Sequence, residues 1–354
     1  MEKLVVRGDP GLRLRGEVRM SGAKNAVLPA IAASLLTAEE VRLTNVPRVK
    51  DVETMLTLVD DLGGSHTADG DAVALRVPRL RSDEASYELV RAMRASVLVL
   101  GPLTARFGKA VVALPGGCAI GSRPVNLHIA GLQKLGARIS LEHGYIRAEA
   151  DRLRGAEIAF EKKTVTGTEN LLMAAALAKG ESILRNCAQE PEVADLADLL
   201  NKMGAKIEWL DEETARVRGV KELGGAAHAI IPDRIETGTF LVAGALTGGD
   251  FVVRGVVPAH VASVVDRLRA SGAAVEPAGE GALRVVGAAE VRPQDITTSP
   301  YPGFPTDMQA QFMVLLTQAA GTSIITETIF DRRYSHVNEL VRLGASLDAQ
   351  RDKA

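Results

Sequence analysis

The sequence predicts an α/β protein of two domains, assembled from repeated units that place helices in the middle and sheet around them. Three observations carry this expectation. A helix, a glycine and a strand hairpin recur along the chain. Several helices are apolar on most faces. The N-terminal stretch reads as part of a unit whose remainder lies elsewhere. A period of this kind marks stacked supersecondary units.

The recurring stretch appears as LVDDLGGSHTADGDAVALRV, LQKLGARISLEHGYIRAEA, LLNKMGAKIEWLDEETARVRG, LRASGAAVEPAGEGALRVVG and LVRLGASLDAQ. Its marker glycines, Gly63, Gly136, Gly204, Gly272 and Gly344, are 73, 68, 68 and 72 residues apart. Each falls where a helix ends and the chain needs positive φ, which a Cβ makes costly. After each hairpin come a loop, a second helix, a short strand and the helix leading to the next marker. The segments AVLPAIAASLL, NLLMAAALA, TFLVAGALTG and AQFMVLLTQAA are apolar all round, the pattern of a buried helix.

The ends extend the argument. KLVVRGDPGLRLRG matches the last strand and exit loop of a unit, as in ARVRGVKELGG and LRVVGAAEVRP. Nothing upstream can pair with it, so residues 4–7 are expected to pair with a strand of the C-terminal part. The chain stops at DAQRDKA, after one expected strand of a fifth hairpin. The expected division is therefore residues 1–20 with 230–354 as one discontinuous, incomplete domain, and residues 21–229 as the other.

Composition narrows the function. The 354 residues suit two domains. Aromatic residues make up 3% and the net charge is −2. Neither base stacking nor a phosphate-binding groove for nucleic acid is expected. No apolar run reaches the roughly 18 residues of a membrane-spanning helix, and the charged N-terminus has no signal-peptide core. With only two cysteines, Cys118 and Cys187, a disulfide framework is not expected and a reducing cytoplasm is the default. Cys187, in LRNCA after an aliphatic strand, reads as core.

Residues 114–128, LPGGCAIGSRPVNLH, stand apart. Three glycines and two prolines forbid regular structure over most of this stretch. The loop carries one thiol, Cys118, and one guanidinium, Arg123. A turn with an incidental small apolar cysteine is the plain reading; a reactive loop is the other.

Five motifs occur in the order MSGAKNAVLPA, RAMRAS, LPGGCAIGSRPVNLHI, IPDRIETGTF and FPTDMQAQF. Together they resemble the UDP-N-acetylglucosamine 1-carboxyvinyltransferases, over essentially the whole chain. These enolpyruvyl transferases open peptidoglycan synthesis. The resemblance implies the inside-out α/β barrel, with two domains of three βαβαββ units each. It implies transfer of the enolpyruvyl group of phosphoenolpyruvate to the 3-hydroxyl of UDP-N-acetylglucosamine, with phosphate released. No cofactor, metal, nucleic acid or membrane insertion is implied.

The resemblance also implies roles. Cys118 is the proton donor to the phosphoenolpyruvate methylene and the target of the epoxide fosfomycin. A thiol with a reference pKa near 8.5 is mostly protonated at neutral pH. Arg123 would draw it toward thiolate, and a bound anion would push it back. Arg123 and Lys24 face phosphoenolpyruvate, the first through planar bidentate contacts. Asn25 lies by the reacting part of the sugar. By themselves, Ser21 and Asn25 also suit a helix cap, as does Asp307; the resemblance makes Asp307 the base for the sugar hydroxyl. Arg94, Arg123, Pro124, Val125, Asn126, Leu127, Lys163, Thr164, Val165, Thr166 and Ile329 match positions that hold the UDP-sugar. Asp233, Arg234 and Glu236, at the domain crossover, read as structural or interdomain.

Two departures stand out. Asn126 occupies a position where the family has Asp. The family pattern also runs on past the residue matching Ala354 and includes a further arginine that clamps phosphoenolpyruvate. Weak sugar-nucleotide binding, ready aggregation and poor turnover are the corresponding expectations. A non-catalytic UDP-sugar-binding relative and an inactive truncated paralogue are the rival readings. The related 3-phosphoshikimate enzyme is a third, disfavoured by the PGGC loop. Retention of Cys118, Lys24, Arg123 and Asp307 favours an enzyme.

Overall fold

The computed structural model describes residues 5, 7–9, 11–85, 87–114, 125–331 and 333–354. They group into two compact units, residues 1–20, 234–299 and 303–354 in the smaller and residues 21–233 with 300–302 in the larger.

The larger unit holds three four-stranded sheets of one design. The first orders its strands Ala226–Ala229, Val41–Thr44, Ala72–Arg76, Ser65–Asp69. The second runs Glu84–Ala85, Lys109–Ala113, Tyr145–Glu149, Arg138–Glu142, and the third Glu157–Ala159, Glu181–Arg185, Ala215–Arg218, Lys206–Trp209. In each sheet the first pair is parallel and the other pairs are antiparallel. Each sheet is thus a hairpin, the strand that precedes its helix, and one strand reached by a crossover. Inside lie the helices Lys24–Ala33, Leu100–Phe107 and Val165–Ala176. Val27, Ile31, Leu103, Leu171 and Leu172 have no accessible surface. Burying such side chains is worth about 1.5–3 kcal/mol each, which explains why these helices lack a polar stripe.

The smaller unit repeats the design once. Its sheet orders Arg15–Arg19, Asp250–Arg254, Ala282–Val286, Ala274–Pro277, again with one parallel pair and two antiparallel pairs. The short strands Ile296–Thr297 and Ile325–Thr326 pair in parallel. Leu241 of the helix Arg234–Leu246 and Phe312 of the helix Gln309–Leu316 are fully buried in its core.

All five marker glycines adopt positive φ, from 94° at Gly136 to 117° at Gly63. Three expectations are corrected. The N-terminal strand that pairs is Arg15–Arg19, with Asp250–Arg254, not residues 4–7. Val5 and Arg7 form no strand, and residues 4 and 6 lie outside the described set. The reason is that Asp9 accepts from Gly11 and Leu12, which turns the chain back on itself, so the extended run begins after Leu12. Residues 230–233 sit with the larger unit, because Ile230 donates to Thr44, Ala23 to Ile231 and Asp233 to Ser21. No strand follows Gly344 before Gln350 among the described residues; the chain instead turns at Gln350–Lys353, and Ala354 bonds to Ile325 in both directions. No helix among the described residues is long and apolar enough to cross a membrane.

Candidate active site

In the larger unit the expected ligand-facing residues sit at the starts of helical segments. Lys24 opens the helix Lys24–Ala33. Its backbone N–H donates to Asp233 Oδ2 at 3.2 Å, so the cap comes from 209 residues away rather than from Ser21 or Asn25. The Lys24 ammonium is half-exposed and pairs with Asp51 at 3.3 Å, and Asn25 is exposed beside it. Arg94 opens the 3-10 helix Arg94–Val99, and Asn126 and Leu127 open the helix Asn126–Lys134 after the buried Val125. Thr164 caps the helix Val165–Ala176 by accepting from Gly167 N–H at 3.2 Å. Lys163 is held by Glu213 Oε1 at 2.6 Å and Gln189 Oε1 at 3.3 Å. A phosphate reaching Lys163 therefore competes with a carboxylate already in place.

His128, unremarked in the sequence, ties these segments together. Asn170 Oδ1 accepts from Gly101 N–H at 2.6 Å, which sets the amide's orientation. A Cβ at Gly101 would lie 2.2 Å from that oxygen, so glycine permits the approach. Asn170 Nδ2 then donates to Val97 O and to His128 Nδ1, at 3.0 and 2.9 Å. With Nδ1 accepting, the His128 proton resides on Nε2 and points at Thr166 Oγ1, 3.3 Å away. The helices starting at Asn126 and Val165 and the segment starting at Arg94 are thereby locked to one another. On the same helix, burial and the nearby Glu192 and Glu190 push the carboxyl of Glu169 well above the usual carboxylate range, favouring its neutral form.

Burial, helped by Arg94, holds the His128 imidazole down at about 4. Its unfolded value is about 6.5, so between these values the unfolded chain binds the extra proton. The stabilisation is complete at pH 7, declines as pH falls below about 6.5, and stops declining near 4. Its full size is about 3 kcal/mol. The difference in urea stability between the wild type and His128→Gln, followed through Trp209 between pH 4 and 7, is expected to show this slope, the opposing titration of Glu169 being common to both. Identical slopes would sink the assignment.

The smaller unit presents a second group. Asp307 lies in the 3-10 turn Thr306–Met308 before the helix Gln309–Leu316 and makes no cap. Its Oδ1 accepts from Arg333 Nη2 at 2.6 Å, and Arg333 Nη1 donates to Thr306 Oγ1 at 2.7 Å. The guanidinium also lies 5.4 Å from the centre of the Phe330 ring. Beneath this pair Glu327, 4% exposed, accepts from Thr298 and Thr306 hydroxyls and from the N–H groups of Ile329 and Phe330. Ile329 is therefore placed through its own amide. The Asp307 carboxylate is 39% exposed and ion-paired with Arg333.

Cys118, Arg123 and Pro124 lie outside the described residues. Cys187 is fully buried, and burial raises its thiol to about 12. Sequence reasoning missed His128, Asn170, Glu327 and Arg333. For His128 a signal existed, since it lies inside the motif LPGGCAIGSRPVNLHI beside Asn126 and Leu127; for the others a motif offered none.

The family described as EPSP synthase (3-phosphoshikimate 1-carboxyvinyltransferase) matches residues 9–354. This chain belongs to that enolpyruvyl transferase family. Among its relatives, the UDP-N-acetylglucosamine 1-carboxyvinyltransferase of Solibacter usitatus is 56% identical over 348 residues, covering 98% of this chain and 83% of the relative. The enzyme of that name from Koribacter versatilis is 54% identical, covering 100% of this chain and 82% of its own length. Among solved structures, the enolpyruvyl transferase NikO from Streptomyces tendae superimposes with a TM-score of 0.86 at 23% identity, over 97% of this chain and 82% of NikO. An EPSP synthase from Acinetobacter baumannii gives 0.66 at 18% identity, over 89% and 74%. The fold is the two-domain α/β fold of the enolpyruvyl transferases.

Proposed function

We infer that this enolpyruvyl transferase moves the enolpyruvyl group of phosphoenolpyruvate to the 3-hydroxyl of UDP-N-acetylglucosamine and releases phosphate. The single observation that carries the reading is the identity of 52–56% to curated enzymes of that name, over nearly the whole chain. The sugar-nucleotide name of these relatives favours this acceptor over shikimate 3-phosphate.

In the addition step the sugar oxygen bonds to C2 of phosphoenolpyruvate, its proton passes to Asp307, and C3 gains a proton from Cys118. In the elimination step the C2–O bond to phosphate breaks, the phosphate leaving with the proton held by Asp307, and C3 returns a proton to the Cys118 thiolate, restoring the double bond. Asp307 suits the base by its exposure and its charge partner Arg333. Lys24 and Arg123 would meet the phosphate and carboxylate of phosphoenolpyruvate. Arg94, residues 123–127, residues 163–166 and Ile329 would hold the UDP-sugar. The product belongs to cytoplasmic peptidoglycan synthesis, and fosfomycin would act on Cys118.

Phosphate release by the purified chain, dependent on both substrates, is the expected result. Release with shikimate 3-phosphate and none with the UDP-sugar would overturn the reading. Thiol chemistry adds a prediction. With its thiol raised to about 12, Cys187 holds almost no thiolate at neutral pH, so fosfomycin should label one thiol per chain, faster with UDP-N-acetylglucosamine present. Peptide mapping should place it on Cys118, and Cys118→Ser should abolish it. Label recovered on Cys187 would count against the assignment.

A further inference from the structure

A cavity of about 620 Å³ opens in the larger unit, beside Gln189, whose side chain holds Lys163. It lies between the hairpin that follows Trp209 and the start of the helix Pro191–Lys202. Its volume is that of a small-molecule site, and its exposed lining is mainly apolar. The apolar part comes from the Trp209 indole, Tyr301, Pro302 and two alanines, Ala188 and Ala194.

The charged part is of one sign. Glu190, Asp211 and Glu212 line the cavity, and among the described residues no lysine, arginine or histidine does. Glu190 Oε2 is closed off from solvent and has no hydrogen-bond partner among the described residues. A buried acceptor without a donor is costly; closed off as it is, this oxygen adds charge beside the cavity and still lacks a donor. Lys163 does not supply it, since its ammonium is taken by Glu213 and Gln189. Hydrogen bonds from the Glu213 N–H and the Thr214 side chain hold the Asp211 carboxyl below its usual range, so it stays ionised.

We propose that this cavity binds a small organic cation, an alkyl- or arylammonium ion carried on an apolar body. The indole face of Trp209 and the phenol of Tyr301 attract a cation through their quadrupoles. The apolar body fills the alanine and proline wall, and Glu190 with the 211–212 turn neutralises the charge.

The chain contains one tryptophan, and it lines the cavity, so its fluorescence reports occupancy. Benzyltrimethylammonium is titrated into the purified chain, with benzyl alcohol and phenylacetate as neutral and anionic probes and N-acetyltryptophanamide as the blank. Expected are a saturable change with the cation, at least tenfold weaker binding of the neutral probe, and none of the anion. Glu190→Gln and Glu212→Gln together should weaken the cation at least fivefold. Should that variant fold poorly, a potassium chloride series on the unaltered chain serves instead, and rising salt should weaken binding. Linear quenching equal to the blank, equal binding of phenylacetate, or insensitivity to both the variant and salt would overturn the proposal.

Discussion

Asp307→Asn is expected to lower kcat/KM for enolpyruvyl transfer by about two to four orders of magnitude, the range that general-base catalysis supplies. The fold should tolerate the change. The carboxylate is 39% exposed and makes no helix cap, and the amide oxygen of asparagine still accepts from Arg333. The loss should fall on kcat, because an amide cannot take the proton of the sugar hydroxyl while the sugar still binds. Arg333→Lys makes the complementary test. It keeps the charge but loses the fork that bonds Asp307 and Thr306 together, so a smaller loss, shared between kcat and KM, is expected. Phosphate release under steady-state conditions measures both. If Asp307→Asn turns over within threefold of the wild type, Asp307 is not the base.

Glu327→Ala should loosen the turn that carries Asp307. The buried carboxylate accepts hydroxyls from Thr298 and Thr306 at 2.9 and 2.8 Å and amides from Ile329 and Phe330 at 2.8 and 3.2 Å. Removing it leaves those four donors without their acceptor. The two hydroxyls can turn to other acceptors; the two backbone amides cannot. A penalty of about 3 kcal/mol follows, equivalent to amide exchange about a hundredfold faster in that segment. Hydrogen exchange of a peptide spanning 327–334 reads this directly, and Glu327→Gln should fall between the two. Unchanged exchange in Glu327→Ala would show that other contacts hold the turn.

Much of the fold was legible because it is written in local patterns. The marker glycines announce helix ends, and all five take the positive φ that the pattern demands. Helices without a polar stripe announced their burial, and the Leu171–Leu172 pair is sealed from solvent as expected. The strand position at the N-terminus was misread because the RGDPG stretch looked like an exit loop after a strand, whereas its turn precedes the strand that pairs.

What the sequence determined by itself is the repeat, the helix-inside architecture and the family. The first two follow from spacing along the chain, since backbone geometry converts a period of residues into a face; the family follows from the resemblance carried by five motifs in order. What only the tertiary structure decided is the polar wiring. Asp233 caps a helix 209 residues upstream, Glu213 holds Lys163 from 50 residues away, Asn170 orients His128 from 42, and Arg333 steadies Asp307 from 26. Such pairs have no period and no characteristic spacing. Their partners are chosen by which charged and hydrogen-bonding groups the packed core leaves side by side, once burial has made an unpaired one too costly to keep.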